Sequence, residues 1–211
     1  TVEWYFIERF IYFLLLLVLK PFTEMVLWRK FKMESLQLNE KGYESLRDDK
    51  HLTYLSQMPL AVADGVRPVS MADVMRQRVV TSGDVQKNWQ FNYFDTGDGC
   101  ATSRNGGFKV VLDSEDLRNV SQQTTLNGRW ALTLSDLAYE ALSGKSFSKK
   151  DREKNTGKYL TERQAKKSPV WRALAREDQS LLDQNVEAVF KYLKDTHSLD
   201  TGMAVLLADA Q

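Results

Sequence analysis

Residues 168–193 read SPVWRALAREDQSLLDQNVEAVFKYL and form the strongest helix signal in the chain. Serine followed by proline is typical of a helix start, because the serine caps the first turn and proline gives up an N–H that has no partner there. Apolar residues then recur at helical spacing: Val170, Leu174, Leu182, Val186, Val189, Phe190 and Leu193. This spacing predicts one amphipathic helix packed on a core, with the apolar segment 202–210 packing back on it.

The residues before this helix predict a small antiparallel sheet. Residues 87–95, KNWQFNYFD, carry aromatic side chains at alternate positions, which is the period of a strand. Residues 108–113, FKVVLD, are a second strand candidate, and the glycine-rich residues 95–107 between them predict a hairpin with a long, flexible tip. Residues 129–134 add a third candidate strand, after which Ser135 is expected to cap a short helix.

Helical signals are weaker in the first part of this region. Residues 33–60 are mostly polar and predict a helix that ends at Pro59. Residues 61–69 then read as a connector. Ser70 precedes a further short helix, and Asp73 lies at the spacing of an acidic capping box.

The N-terminal part of the chain contains an apolar run, FIYFLLLLVL, at residues 10–19. The 25 residues from Trp4 to Trp28 would form a helix of about 37 Å, enough to cross a hydrocarbon core of about 30 Å. The expected membrane contacts are Trp4, Phe10, Phe13, Leu16, Leu19 and Trp28. Basic residues after a membrane segment usually mark the cytosolic side, and here they are Arg29, Lys30 and Lys32.

Charges within this stretch leave three interpretations open. Arg9, Lys20 and Glu24 fall on one side of a helix, Glu8 lies off that side, and Pro21 should kink or break the helix. The first interpretation is one kinked span whose charges face a partner helix. The second is a helix lying along the membrane interface, and the third is a buried helix of a soluble core.

The overall composition is that of a folded protein and offers no catalytic centre. The chain has 211 residues, a formal net charge of +1, 43% apolar and 27% charged residues. Cys100 is the only cysteine, so no internal disulfide can form, which fits a reducing compartment. With only two histidines, His51 and His197, we expect no metal site, no cofactor and no catalytic residues.

Two short motifs resemble known sites, but each departs from the pattern that the chemistry needs. Asp95-Thr96-Gly97 resembles the triplet of aspartic proteases, but Asp98 follows it, where a second carboxylate would oppose the shared proton. Gly144-Lys145-Ser146 resembles the end of a phosphate-binding loop but lacks the earlier glycine of that motif.

The most informative polar feature is a basic segment at residues 145–176, which holds eleven basic and three acidic residues and so carries a net charge of +8. Three interpretations are open: contact with anionic lipid or a protein partner, a solvated face, or nucleic-acid binding, the last being the least favoured. The residues first expected to make lipid or partner contacts are Lys149, Lys150, Arg152, Lys166 and Lys167.

The N-terminal WYFIERFIYFLLLLVLK at residues 4–20 is followed by a polar remainder, in which Met71 and Met75 could serve as a second start. This layout resembles the entry-exclusion proteins of IncI-type conjugative plasmids. It implies a membrane-associated, cytosol-facing protein that recognises a transfer-apparatus protein and blocks redundant DNA transfer. It implies no catalytic residues.

The sequence therefore predicts an α+β protein, with an N-terminal membrane-associated helix followed by a mainly helical cytosolic domain with a small antiparallel sheet. The expected parts are the membrane helix at 1–32, a helical connector at 33–69 and the domain at 70–211. The expected function is a non-enzymatic interaction protein at the cytoplasmic (inner) membrane, with membrane lipid and a membrane protein as partners. The alternatives are an enzyme with a site under the 95–107 loop and a membrane-proximal nucleic-acid-binding protein.

Overall fold

The computed structural model describes residues 2–5, 37–38, 43–44, 54–63, 65, 67–91, 96–121, 123–124, 132–205 and 207. The helices are α1 (Tyr54–Ala63), α2 (Met71–Val80), α3 (Gly83–Phe91), α4 (Glu115–Arg118), α5 (Asp136–Ala141), α6 (Lys149–Asn155), α7 (Glu162–Lys166), α8 (Pro169–Leu174) and α9 (Gln179–His197). The strands are β1 (Val2–Tyr5), β2 (Gln37–Leu38), β3 (Tyr43–Glu44), β4 (Gly99–Thr102), β5 (Phe108–Val111), β6 (Thr133–Leu134), β7 (Lys145–Phe147), β8 (Leu160–Thr161) and β9 (Thr201–Gly202). Helices around a small antiparallel sheet confirm the α+β class.

The main sheet has the strand order β6-β1-β4-β5-β7, and every neighbouring pair is antiparallel. Strands β4 and β5 form its central hairpin, joined by a turn at residues 103–107. Their register pairs Thr102 with Phe108 at the end next to this turn, which we name the turn end. It pairs Gly99 with Val111 at the other end, which we name the far end. The pairs β2–β3 and β8–β9 form two separate ribbons.

Both faces of the central hairpin are covered, because side chains alternate along each strand. Cys100, Phe108 and Val110 lie in the main core, where the Phe108 ring stacks on Phe147 with centroids 4.8 Å apart. The helices α2 and α9 pack on each other and fill that core with Met71, Val74, Met75, Leu182, Val186 and Phe190. The opposite face is covered by a smaller cluster of Ala101, Val111, Leu117 and Tyr139.

The predicted helix at 168–193 is two helices, so the continuous helix was wrong. α8 ends at Leu174, and the backbone takes the left-handed conformation at Arg176 (φ 57°) and Glu177 (φ 63°). Asp178 then caps α9 by accepting a hydrogen bond from the Leu181 N–H at 2.9 Å. The physical reason is a tertiary ion pair made by Arg176, described below. The predicted apolar residues are nevertheless all buried, as are Met203 and Val205 of the last segment.

The predicted strand at 87–95 was wrong in its described part, because residues 87–91 belong to α3. This helix packs against α2 and buries Trp89, so tertiary packing overrides the alternating pattern. The hairpin partner of β5 is β4, which lies inside the predicted flexible tip at 95–107. Residues 96–103 are buried, and only the turn at 103–107 joins the strands.

Three further predictions met mixed outcomes. The helix predicted at 33–60 is contradicted by the short strands β2 and β3, and α1 continues through Pro59 and into the predicted connector. Burial of Met58 and Ala61 on either side of the proline supports that helix. The capping box of Ser70 and the cap at Ser135 are confirmed, and β6 falls within the predicted strand at 129–134.

The backbone of Trp4 lies in β1, opposite Ala101, so the predicted membrane helix does not begin at this residue. The pairing of β1 with β4 gives the chain a sheet partner where a lipid-facing helix was expected. The remaining predicted membrane and flanking residues lie outside the described residues: Phe10, Phe13, Leu16, Leu19, Trp28, Arg29, Lys30 and Lys32. Among the residues that the structure describes, no helix combines the length and apolarity needed to cross a membrane.

Asn185 is a polar residue of α9 that is fully buried, next to the core residue Val186. Its side-chain amide has no hydrogen-bond partner among the described residues. Because a buried amide without a partner is destabilising, Asn185→Leu is expected to raise the free energy of unfolding by about 1–2 kcal/mol. Thermal melting of the detergent-solubilised chain measures this. Gln184→Leu, at an exposed neighbouring position, is the control, and a lower melting temperature for Asn185→Leu would contradict the prediction.

Candidate functional site

The basic segment at 145–176 is divided by the fold among β7, α6, β8, α7 and α8. Helix α6 begins at a capping box: the Ser148 hydroxyl accepts from the Asp151 N–H, and the Asp151 carboxylate accepts from the Ser148 N–H. The Ser148 hydroxyl also donates to the Asp151 carboxylate at 2.6 Å, and this bond, together with the one from the Ser148 N–H, lowers the pKa of the Asp151 carboxyl. The cap therefore fixes the start of α6. All residues of this helix are described, and none of them is buried.

The exposed side of α6 carries lysines. Lys149, Lys150 and Lys154 are exposed, whereas Arg152 and Asn155 are half-buried on the side that faces the protein. Lys150 and Lys154 are four residues apart and therefore lie on the same side of the helix.

Lys158 is exposed shortly after the end of α6. We name this residue together with Lys149, Lys150 and Lys154 the lysine surface. Within the described part of the chain, none of these four side chains makes an ion pair or a hydrogen bond.

The hairpin turn at 103–107 lies directly against this surface. Gly106 has φ 88°, and a Cβ atom placed on it would lie 3.1 Å from the aliphatic stem of Lys149. A Cβ on Gly107 would lie 3.1 Å from the carbonyl oxygen of Phe147. The turn and α6 are therefore in contact.

The other two residues predicted to contact lipid or a partner, Lys166 and Lys167, lie at the end of α7. Lys166 lies 2.8 Å from a Glu187 carboxylate oxygen and 3.2 Å from Glu162. The hydrogen bond to Glu187 raises the pKa of the Lys166 ammonium, whose charge is balanced within the molecule. Lys167 is exposed at the C-terminal cap of α7. Lys149, Lys150 and Lys167 thus remain available to a partner.

A charge cluster that the sequence did not predict lies at the far end of the sheet. Asp98 is fully buried just before β4. Its carboxylate accepts hydrogen bonds from the Met71 N–H at 2.7 Å and the Asp113 N–H at 2.9 Å, and an Arg176 guanidinium nitrogen lies 3.5 Å away. This carboxylate therefore connects the start of α2 to the end of β5.

The guanidinium of Arg176 completes the cluster. It lies 2.8 Å from a carboxylate oxygen of Asp113, whose backbone is also left-handed at φ 50°. Arg67 adds a contact of 2.8 Å to Asp73 and one of 3.7 Å to Asp113. These contacts hold the break between α8 and α9 in place, so the cluster has a structural role.

The pH response of Asp98 follows from its burial. Removal from water raises the pKa of this carboxyl above its ordinary value of 3.8, against the lowering effects of the Asp113 and Met71 N–H groups and of Arg176. The folded protein thus holds this proton more tightly than the unfolded chain. The resulting stability is fully present below about 3.8 and is lost as the pH rises through the raised pKa.

Asp98→Asn removes this titration. The difference in free energy of unfolding, wild type minus Asp98→Asn, is therefore expected to fall as the pH rises from about 3.8 through the raised pKa of Asp98. Thermal melts at a series of pH values, with exposed Asp195→Asn as the control, measure the difference. A difference that stayed constant or rose with pH would contradict the expected direction of the pKa shift.

A cavity of about 370 Å³ opens beside this cluster, within the range of about 300–1,000 Å³ found for ligand pockets. Val110, Leu112 and Ala173 supply apolar lining, and Lys145 and Glu177 also line it. The Lys145 ammonium lies 2.6 Å from the Glu177 carboxylate, so these opposite charges satisfy each other.

Cys100 is a free cysteine that lies in β4 and is fully buried, although the sequence placed it in the predicted flexible tip at 95–107. Burial, with a smaller effect from the charge of Asp98, raises the pKa of this thiol to about 12. It is therefore protonated at neutral pH and is a poor nucleophile. In the described ranges, no group of three or more His, Cys, Asp or Glu side chains is arranged to hold a metal ion.

Comparisons with protein-family models, with curated proteins and with solved structures found no match to this chain. The candidate function is therefore argued from the residues described above.

Proposed function

We propose that this chain is a non-enzymatic interaction protein that is held at the cytoplasmic membrane and acts on a membrane machinery through its lysine surface. The single observation that carries the proposal is the side of α6 on which Lys149, Lys150 and Lys154 are exposed and without ion pairs in the described region. Exposed lysines that do not pair with the protein's own carboxylates are available to an anionic partner.

The apolar run at 10–19 supports the membrane location, since ten apolar residues in succession favour lipid or an apolar neighbour. The particular machinery that we propose is a conjugative transfer apparatus, from the resemblance to entry-exclusion proteins. In this role the chain recognises a transfer protein and leaves the DNA itself untouched.

Two experiments test the proposal. Membranes from cells that express the full chain are extracted first with carbonate and then with detergent; the chain is expected to resist carbonate and to dissolve in detergent. In a mating assay, recipients that express the chain are expected to receive an IncI-type plasmid at least about tenfold less often, which is about 1.4 kcal/mol if one binding step limits transfer.

The triple variant Lys149→Glu, Lys150→Glu, Lys154→Glu is expected to restore transfer while keeping the same membrane fraction. The control is Lys191→Glu with Lys194→Glu, two exposed positions on α9; the latter loses only a 3.7 Å surface contact with Glu162. Exclusion by the triple variant at the wild-type level would reject the lysine surface. Extraction by carbonate alone would reject the membrane anchor.

A further inference from the structure

We infer that the lysine surface binds an acidic face of a protein partner. This inference rests on the proposed function and names the partner chemistry of the same surface. Exposed lysines attract lipid headgroups, nucleic acid and carboxylates, and of these three the inference selects carboxylates.

The composition of α6, KKDREKN, argues against a lipid partner, because a helix that lies on a membrane needs an apolar side and this helix has no apolar residue.

The charges on the surface favour carboxylates over nucleic acid. Lysines on α6 present compact, hydrated charges, whereas phosphate backbones and base edges are most often recognised with arginine and stacked aromatic rings. The one arginine of the helix, Arg152, is half-buried on its inner side. Glu153 lies among the exposed lysines, so the patch combines both signs and suits a protein face with a matching mixed pattern.

The test uses the full chain in neutral phosphatidylcholine nanodiscs. The probes are a glutamate-rich peptide with its glutamine counterpart, vesicles of phosphatidylglycerol and phosphatidylcholine, and duplex DNA. The variants are Lys150→Glu with Lys154→Glu, and the control Lys191→Glu with Lys194→Glu, which carries the same net charge. The α6 variant is expected to bind the glutamate peptide at least about tenfold more weakly than the control does, and to match the control with vesicles and DNA.

Two outcomes would overturn the inference. If the α6 variant loses vesicle or DNA binding relative to the control, the lysine surface recognises phosphate, and the proposed interaction role survives with a different partner. If both variants bind the glutamate peptide equally, the lysine surface does not recognise carboxylates. The mating assay and the carbonate extraction test the proposed function separately.

Discussion

Replacing Asp98 with alanine is expected to lower the free energy of unfolding by about 3–4 kcal/mol, the largest effect that we expect from a single substitution. The carboxylate accepts two backbone N–H groups, from Met71 and Asp113, that lie in the protein interior. Alanine leaves both donors without an acceptor and removes one of the two carboxylates next to Arg176. The raised pKa of Asp98 reduces the loss somewhat, because the desolvation cost of the charge disappears with it.

Thermal melting of the detergent-solubilised chain measures this loss as a fall of roughly 6–16 °C, since about 1 kcal/mol shifts the melting temperature by about 2–4 °C in a chain of this size. Asp195→Ala, at an exposed position on α9, is the control and is expected to change stability by less than about 0.5 kcal/mol. If Asp98→Ala and Asp195→Ala melted together, the central structural role of Asp98 would be refuted.

The Asp98 cluster explains why the sequence predicted some elements and missed others. The caps at Ser70 and Ser135 depend on residues three positions away, so local spacing was enough to find them. Arg176 finds its carboxylates 63 and 78 positions away in the sequence. No local pattern carries that information, so the helical spacing around it predicted a continuous helix.

The error at α3 has a similar origin. Trp89 and Phe91 alternate as in a strand, but a short run of this kind also fits a helix that buries one aromatic side chain. Packing against α2 decides between the two. The true partner strand, β4, is short and lies within the glycine-rich stretch 95–107, so its sequence resembles a loop even though its residues are buried.

The sequence predicted the basic composition of the candidate site, but not which of its basic side chains form ion pairs within the protein. The eleven basic residues between 145 and 176 made this segment a candidate anion-binding surface from sequence alone, with a solvated face as the alternative. Which of them remain available depends on carboxylates from other elements: Glu187 pairs with Lys166, and Glu177 with Lys145 and Arg172. Only the fold distinguishes these paired residues from the lysines of α6.

Lys109 gives the second large expected effect. It lies in the middle of β5 and is almost fully buried, with 9% of its surface exposed. Its ammonium donates to the carbonyl oxygens of Tyr139, Glu140 and Leu142, at 3.0, 3.1 and 3.3 Å. It also lies 4.7 Å from the centre of the Tyr139 ring. The lysine therefore caps the C-terminal end of α5, where the helix dipole favours a positive charge.

Lys109→Met keeps the aliphatic stem but removes the ammonium from these three carbonyl oxygens, of which, among the described residues, only that of Tyr139 keeps another donor, the Leu142 N–H. We expect the free energy of unfolding to fall by about 3 kcal/mol and the melting temperature by roughly 6–12 °C. Lys191→Met, at an exposed position, is the matched control and should melt within a degree or two of the wild type, since exposed substitutions change stability by less than about 0.5 kcal/mol. Equal melting of the two variants would mean that the end of α5 does not depend on this buried ammonium.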